Sequence, residues 1–130
     1  MGLTLEDANR VIQGALAKAL ELNIKVSVAI CDSGGRLIAF QRMDNAIWAS
    51  TIGSQGKAVA SSATGRPSGE LRGPKDNPTL GGIMAAAGGM IVGKGAFPLL
   101  RNGAIEGACG VAGGTFQQDE DCARAGAEKF

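Results

Sequence analysis

The spacing of apolar residues changes from a helical to a strand period along the first third of the chain. Residues 4–20 carry apolar side chains at helical spacing behind Thr4, which suits a helix N-cap. Over residues 24–31 the period falls to two, which predicts a β-strand. A glycine-containing turn at 32–35 leads into a second apolar run at 36–43, so the two runs predict an antiparallel hairpin.

The rest of the chain predicts a second helix, a long loop, three short strands and a final helix. Residues 48–63 are rich in alanine and serine, and Gly65 and Pro67 predict the end of this helix. Three of the four prolines lie in residues 66–79, which predicts a loop that could act as a lid. Strands are predicted at 90–92, 97–100 and 104–111, and Thr115 begins the last helix. This order, with mainly antiparallel connections, predicts an α+β fold.

Length, charge and cysteine content narrow the class of protein. At 130 residues the chain is long enough for one domain, residues 1–130, with a single core. A net charge of +1 argues against nucleic acid as a partner. The apolar stretch at 80–93 is too short to span a membrane, and the first seven residues lack the apolar segment of a secretory signal. Three scattered cysteines favour a reducing compartment, so we expect a cytoplasmic protein.

Glycine is unusually frequent, at 21 residues, and several glycines precede the last helix. A glycine-rich strand that enters a capped helix at 107–115 could hold a carboxylate or phosphate with free backbone amides. The candidate ligand-binding residues in this segment are Gly110, Gly113, Gly114 and Thr115. The alternative is that these glycines only shape the backbone, because the acids at 119–121 would repel an anion.

The other candidate ligand-binding and catalytic residues are charged. Arg42 could hold a substrate carboxylate while Asp44 orients it, or the two could form a structural pair near a turn. Lys57 lies on the small-residue side of the second helix, where it is either a desolvated base or anion anchor, or a surface charge. Asp32 and Asp44 are further candidates for acid–base work, and Arg66, at the mouth of the long loop, could reach a bound anion.

The chain contains no histidine, which excludes several kinds of catalytic site. Without it the chain can form neither a Ser-His-Asp nor a Cys-His arrangement, and no two cysteines have the spacing of a zinc site. No phosphate-loop or dinucleotide-binding fingerprint occurs either. We therefore predict no metal site built from protein ligands.

Several short motifs in a fixed order resemble those of the GlcG/HbpS-like family, which includes haem-binding or haem-degrading domains and the terminal domain of some cobalamin adenosyltransferases. The motifs are Asp32-Ser33-Gly34-Gly35, Arg42-Met43-Asp44, Gly65-Arg66-Pro67 and Gly110-Val111-Ala112-Gly113-Gly114-Thr115. The resemblance implies a profilin-like fold with a five-stranded antiparallel sheet flanked by helices. It also implies homo-oligomers (dimers, tetramers or octamers) and, in some members, bound haem or a corrinoid.

Three hypotheses about function follow. The first is a binding protein for a small organic acid or for a tetrapyrrole bound without histidine, since histidine is the usual axial ligand of haem iron. The second is a small cofactor-free isomerase or lyase that acts on a catabolic intermediate. The third is an accessory subunit of a larger enzyme.

Overall fold

The helices and strands follow the order that the apolar pattern predicts, except that two helical elements were not predicted and one predicted strand is absent from the described residues. The computed structural model describes residues 2–73 and 75–130. In chain order its regular elements are α1 (Leu5–Glu21), β1 (Ser27–Asp32), β2 (Leu37–Arg42), α2 (Ala49–Thr64), a short 3-10 helix (Ser68–Glu70), α3 (Pro78–Ala87), β3 (Ala96–Arg101), β4 (Ala104–Ala112) and α4 (Phe116–Ala127).

The strands form an antiparallel sheet in the order β2-β1-β4-β3. The two outer pairs are hairpins, and the central pair runs from Ser27 opposite Ala112 to Asp32 opposite Gly107. Asn102 and Gly103 turn the second hairpin with positive φ angles of 53° and 81°. Those angles are required by the commonest two-residue hairpin turn, which confirms the predicted turn.

Helices cover both faces of the sheet. α1 and α4 pack on one face, where the valines and isoleucines of β1 and β4 form the main core with both helices. α2 lies across the other face, where Cys31, Ala58 and Ala108 form a smaller cluster. The central strands are therefore buried on both faces. α4 packs closely on α1, where a Cβ on Gly126 would lie only 2.8 Å from the carbonyl oxygen of Val11.

Both helix starts predicted from polar residues are confirmed. Thr4 and Asp7 form a reciprocal capping box at the start of α1, and Thr115 and Gln118 form another at the start of α4. Each box satisfies two amides that the helix itself leaves without acceptors. The predicted end of α2 is also confirmed, because Gly65 takes a left-handed conformation there.

The prediction of a fifth strand at 90–92 is wrong. The described residues contain four strands, and the amide of Ile91 donates to the carbonyl oxygen of Gly56 in α2 instead of to a neighbouring strand. Gly88, Gly89 and Gly93 flank this segment with φ angles of 70°, 71° and 120°, which are incompatible with an extended ladder. The apolar character of the segment therefore reflects its packing beside α2.

The region predicted as a long loop is partly helical. The 3-10 helix lies inside residues 66–79, and α3 begins at Pro78, with the side chain of Asn77 accepting from the amide of Leu80 as an N-cap. Proline at the first helical position favours a helix start because its missing N–H has no acceptor there anyway. No helix among the described residues has both the length and the apolar character needed to cross a membrane.

Candidate functional site

Lys57 and Asp119 form a buried ion pair between α2 and α4. The Nζ atom of Lys57 lies 3.3 Å from Oδ2 of Asp119, and the two side chains are only 8% and 4% exposed. Lys57 Nζ also donates to the carbonyl oxygen of Lys94 at 3.2 Å, and the amide of Gly114 donates to Oδ1 of Asp119 at 2.8 Å. Each charged group thus has a second partner, as buried charges require.

The surroundings shift the pKa values of the two groups toward each other. Burial lowers the pKa of the Lys57 ammonium, although the neighbouring Asp119 carboxylate partly opposes that shift. Burial raises the pKa of the Asp119 carboxyl, opposed by Lys57 and by the Gly114 amide. Because desolvation favours the neutral form of each group, transfer of a proton from lysine to aspartate costs less here than at the surface. The pair is therefore suited to proton exchange with a bound molecule.

A cavity of about 230 Å³ lies directly beside Lys57. Its walls are residues 91–94, Gly53 and Phe116, and we call it the lysine cavity. The phenyl ring of Phe116 is 77% exposed at its rim. The ammonium of Lys94, also at the rim, donates to Oε1 of Gln117 at 2.8 Å and stays exposed to solvent. Apart from the two lysines, the lining offers mainly apolar side chains and backbone.

A second, larger cavity of about 630 Å³ lies near the first hairpin turn. We call it the hairpin cavity: it is formed by residues 33–36, by residues 59, 62 and 63 of α2, and by residues 83 and 87–90. Glycines 34, 35, 88 and 89 contribute to its walls, so backbone shapes much of the space. Arg36 is the charged residue in its lining.

Of the charged residues predicted from the sequence, the structure brings only Lys57 to the lysine cavity. Asp32 accepts from the amides of Gly34 and Arg36 at 2.8 and 3.0 Å, which shapes the first hairpin turn. Arg42 and Asp44 are exposed at the end of β2, and no ion pair joins them among the described residues. Arg66 is exposed too, and its carbonyl oxygen accepts from the hydroxyl of Ser61.

The four predicted residues of the glycine-rich turn make contacts within the protein. Gly110 lies against α2, where an added Cβ would collide with the carbonyl oxygen of Ser54. Gly113 has a φ of 129° and packs against the backbone of Lys25. The amide of Gly114 serves Asp119, and the hydroxyl of Thr115 accepts from the amide of Gln118. The Gly114 amide, one of those predicted to be free for an anion, therefore already donates to Asp119.

Neither the partner of Lys57 nor the cavity walls could be predicted from the sequence. Asp119 was predicted only as one of three acids near the start of the last helix. Lys94 and Phe116 carried no signal of their own. The three cysteines are buried and free, and burial raises the pKa of each thiol. No cluster of metal-ligating side chains is found among residues 2–73 and 75–130.

Comparison with known proteins places the chain in a family. A 15.0 kDa protein encoded in the dhaT-dhaS intergenic region of Citrobacter freundii is 33% identical over 119 residues, covering 90% of this chain and 84% of that protein. The corrinoid adenosyltransferase PduO of the same organism is 28% identical over 125 residues, covering 95% of this chain but only 37% of PduO. A solved PduOC–haem complex has a TM-score of 0.86 and 27% identity, covering 100% of this chain and 96% of that one. The family model "Haem degrading protein HbpS-like" matches residues 3–128, so the chain belongs to the HbpS-like family that its motifs resemble.

Proposed function

We propose that this protein binds a small organic acid in the lysine cavity. The observation that carries the proposal is a lysine ammonium, paired with a carboxylate and 92% removed from solvent, beside a mainly apolar cavity. Ligand sites commonly combine apolar walls with a few placed polar groups. The haem complex of a relative supports small-molecule binding in the family at large.

The charges around the cavity indicate how an acid would be held. Asp119 neutralises Lys57, so the exposed ammonium of Lys94 is the better partner for a ligand carboxylate. The side chains of Ile91 and Val92 would pack against the apolar part of the ligand. With liquid water at about 30 Å³ per molecule, a 230 Å³ space holds about eight waters, or a ligand of about eight to ten non-hydrogen atoms.

Titration of the protein with a panel of small carboxylic acids tests this proposal. Binding heats would be measured by calorimetry, and amide chemical shifts would be followed by NMR. We expect saturable binding with the largest shifts at Gly53 and Gly93, and weaker binding by Lys94→Gln but not by the exposed control Lys25→Gln. Shifts confined to Gly88 and Gly89 would place the ligand in the hairpin cavity instead, and no saturable binding would refute the proposal.

A tetrapyrrole is the second candidate ligand, because a relative has been solved with haem. Haem iron in proteins is usually held by His, Tyr or Cys thiolate, or by Met together with His. This chain has neither His nor Tyr, and its cysteines are buried with raised pKa values. Met90 in the hairpin cavity is the thioether within reach of a ligand there. The residues present thus do not fit an iron-ligated haem, and a tetrapyrrole would depend on wall contacts alone.

Cofactor-free isomerase or lyase activity is a second candidate function, favoured by the shifted pKa values of Lys57 and Asp119. A lysine with a lowered pKa can act as a general base near neutral pH. Because Lys57 is part of a buried pair, Lys57→Arg is the informative variant: it keeps the cation beside Asp119 and removes the base. We expect Lys57→Arg to abolish any isomerase or lyase turnover that the wild-type protein shows, and to leave the circular dichroism spectrum unchanged.

We also propose that the protein is a homo-oligomer. Three large apolar side chains near the start of α2, those of Ile47, Trp48 and Ile52, are 64%, 71% and 57% exposed. Clustered apolar exposure of this kind is typical of interaction surfaces. We expect Trp48→Ser with Ile52→Ser to lower the molar mass measured by light scattering, and an unchanged mass would exclude this surface.

A further inference from the structure

Lys57 has the surroundings that a nucleophilic amine needs. A lysine becomes nucleophilic when it is desolvated, reachable by substrate and next to a group that can move protons. Lys57 is 8% exposed, borders the lysine cavity and lies 3.3 Å from a carboxylate oxygen of Asp119. Its Nζ atom also lies against the Cα of Gly95, where any side chain would displace it. The amine is thus held in one place beside the lysine cavity.

We propose that Lys57 forms a protonated imine with the carbonyl carbon of a small 2-oxo acid bound in the lysine cavity. The inference rests on the proposed function, since it names the class of acid that the same cavity takes. The carboxylate would lie toward Lys94 at the rim, and an apolar side chain would pack on Ile91 and Val92.

The step balances with the two groups already present. Transfer of the ammonium proton to Asp119 leaves a neutral amine, whose electron pair forms a bond to the carbonyl carbon while the C=O π bond breaks. The oxygen takes a proton from the amine nitrogen to give a carbinolamine. Asp119 then returns its proton to the hydroxyl, which leaves as water while the C=N bond forms. The product is an iminium cation beside the Asp119 carboxylate, so the net charge of the site is unchanged.

The position of Asp119 suits this role. Its Oδ1 is fixed by the amide of Gly114 at 2.8 Å, which leaves Oδ2 aimed at the Lys57 nitrogen. The iminium would keep one N–H, which can continue to donate to Oδ2. An ion pair with the Asp119 carboxylate, whose side chain is 4% exposed, would stabilise the iminium because charges attract more strongly away from bulk water.

Reductive trapping tests the proposal directly. The wild-type protein would be incubated at pH 7 with 4-methyl-2-oxopentanoate and cyanoborohydride, which reduces an imine to a stable amine. The five other lysines are exposed or half-exposed, whereas Lys57 is buried beside Asp119 at the lysine cavity. We expect labelling of Lys57 to exceed that of Lys25 severalfold, because the cavity would hold the oxo acid beside Lys57 and burial lowers the pKa of its ammonium. A blocked Lys57 prevents tryptic cleavage, so the label would appear in a peptide spanning residues 43–72.

Two variants of the pair, one control variant and one substrate analogue separate the possible outcomes. Lys57→Arg should lose the label and still bind the acid, and Asp119→Asn should slow labelling while Lys25→Met leaves it unchanged. The hydroxy analogue, 2-hydroxy-4-methylpentanoate, should bind without trapping and compete with the oxo acid. Equal labelling of all lysines, or labelling that persists in Lys57→Arg, would overturn the imine. Binding of both acids without trapping would refute the imine alone, whereas binding of neither would refute the proposed function as well.

Discussion

Removal of one member of the Lys57–Asp119 pair should cost more than any surface change in this protein. In Lys57→Met the apolar stem is kept, but Asp119 is left 4% exposed without a counter-charge, with the Gly114 amide still donating to its Oδ1. Breaking a buried pair in this way typically costs about 3–5 kcal/mol. For a chain of this length that loss corresponds to a fall in melting temperature of about 10–20 °C.

The loss should depend on pH in a predictable direction. Burial already raises the pKa of Asp119 above its ordinary value of 3.8, and loss of the lysine raises it further. The folded state then binds a proton that the unfolded state has released. Stability of Lys57→Met should therefore fall as the pH rises from about 4 toward 7, and the deficit relative to wild type should be smallest at the acidic end.

Urea unfolding followed by far-ultraviolet circular dichroism is the suitable assay, because the single tryptophan is 71% exposed and reports folding poorly. Lys25→Met, at an exposed lysine, should change stability by no more than about 0.5 kcal/mol. The double variant Lys57→Met with Asp119→Leu should recover much of the loss, since it leaves no unpaired buried charge. A deficit below about 1 kcal/mol, or one independent of pH, would show that the pair is not buried in solution.

Three further predictions test the packing and turn roles assigned above. Gly110→Ala should cost about 1–3 kcal/mol because its methyl group meets the backbone of Ser54, whereas Gly82→Ala in α3, with open space around it, should not destabilise the protein in thermal melts. Asp32→Ala should lose about 1–2 kcal/mol with its two turn hydrogen bonds but leave acid binding unchanged in calorimetry. The three buried thiols should react with a disulfide reagent much more slowly in the native protein than in urea, and one fast native thiol would contradict their burial.

Local sequence determined most of the elements, because their signals lie within a few residues of one another. Thr4 with Asp7 and Thr115 with Gln118 fix two helix starts through contacts three residues apart. The Asn102-Gly103 turn fixes the second hairpin in the same way. The segment at 90–92 misled the prediction because a short apolar run fits a strand or a loop packed beside a helix equally well.

The site itself was decided by tertiary structure. Lys57 could be predicted as a candidate, because helical geometry places it on the small-residue side of α2. Its partner could not, because Asp119 lies 62 residues away in α4 and only folding brings the two side chains together. Periodicity specifies which face of a helix is buried, but not which buried faces meet. For the same reason, the sequence indicates that glycines 110, 113 and 114 are candidates, but only the structure shows what lies beside them: backbone of other segments at 110 and 113, and side chains at 114.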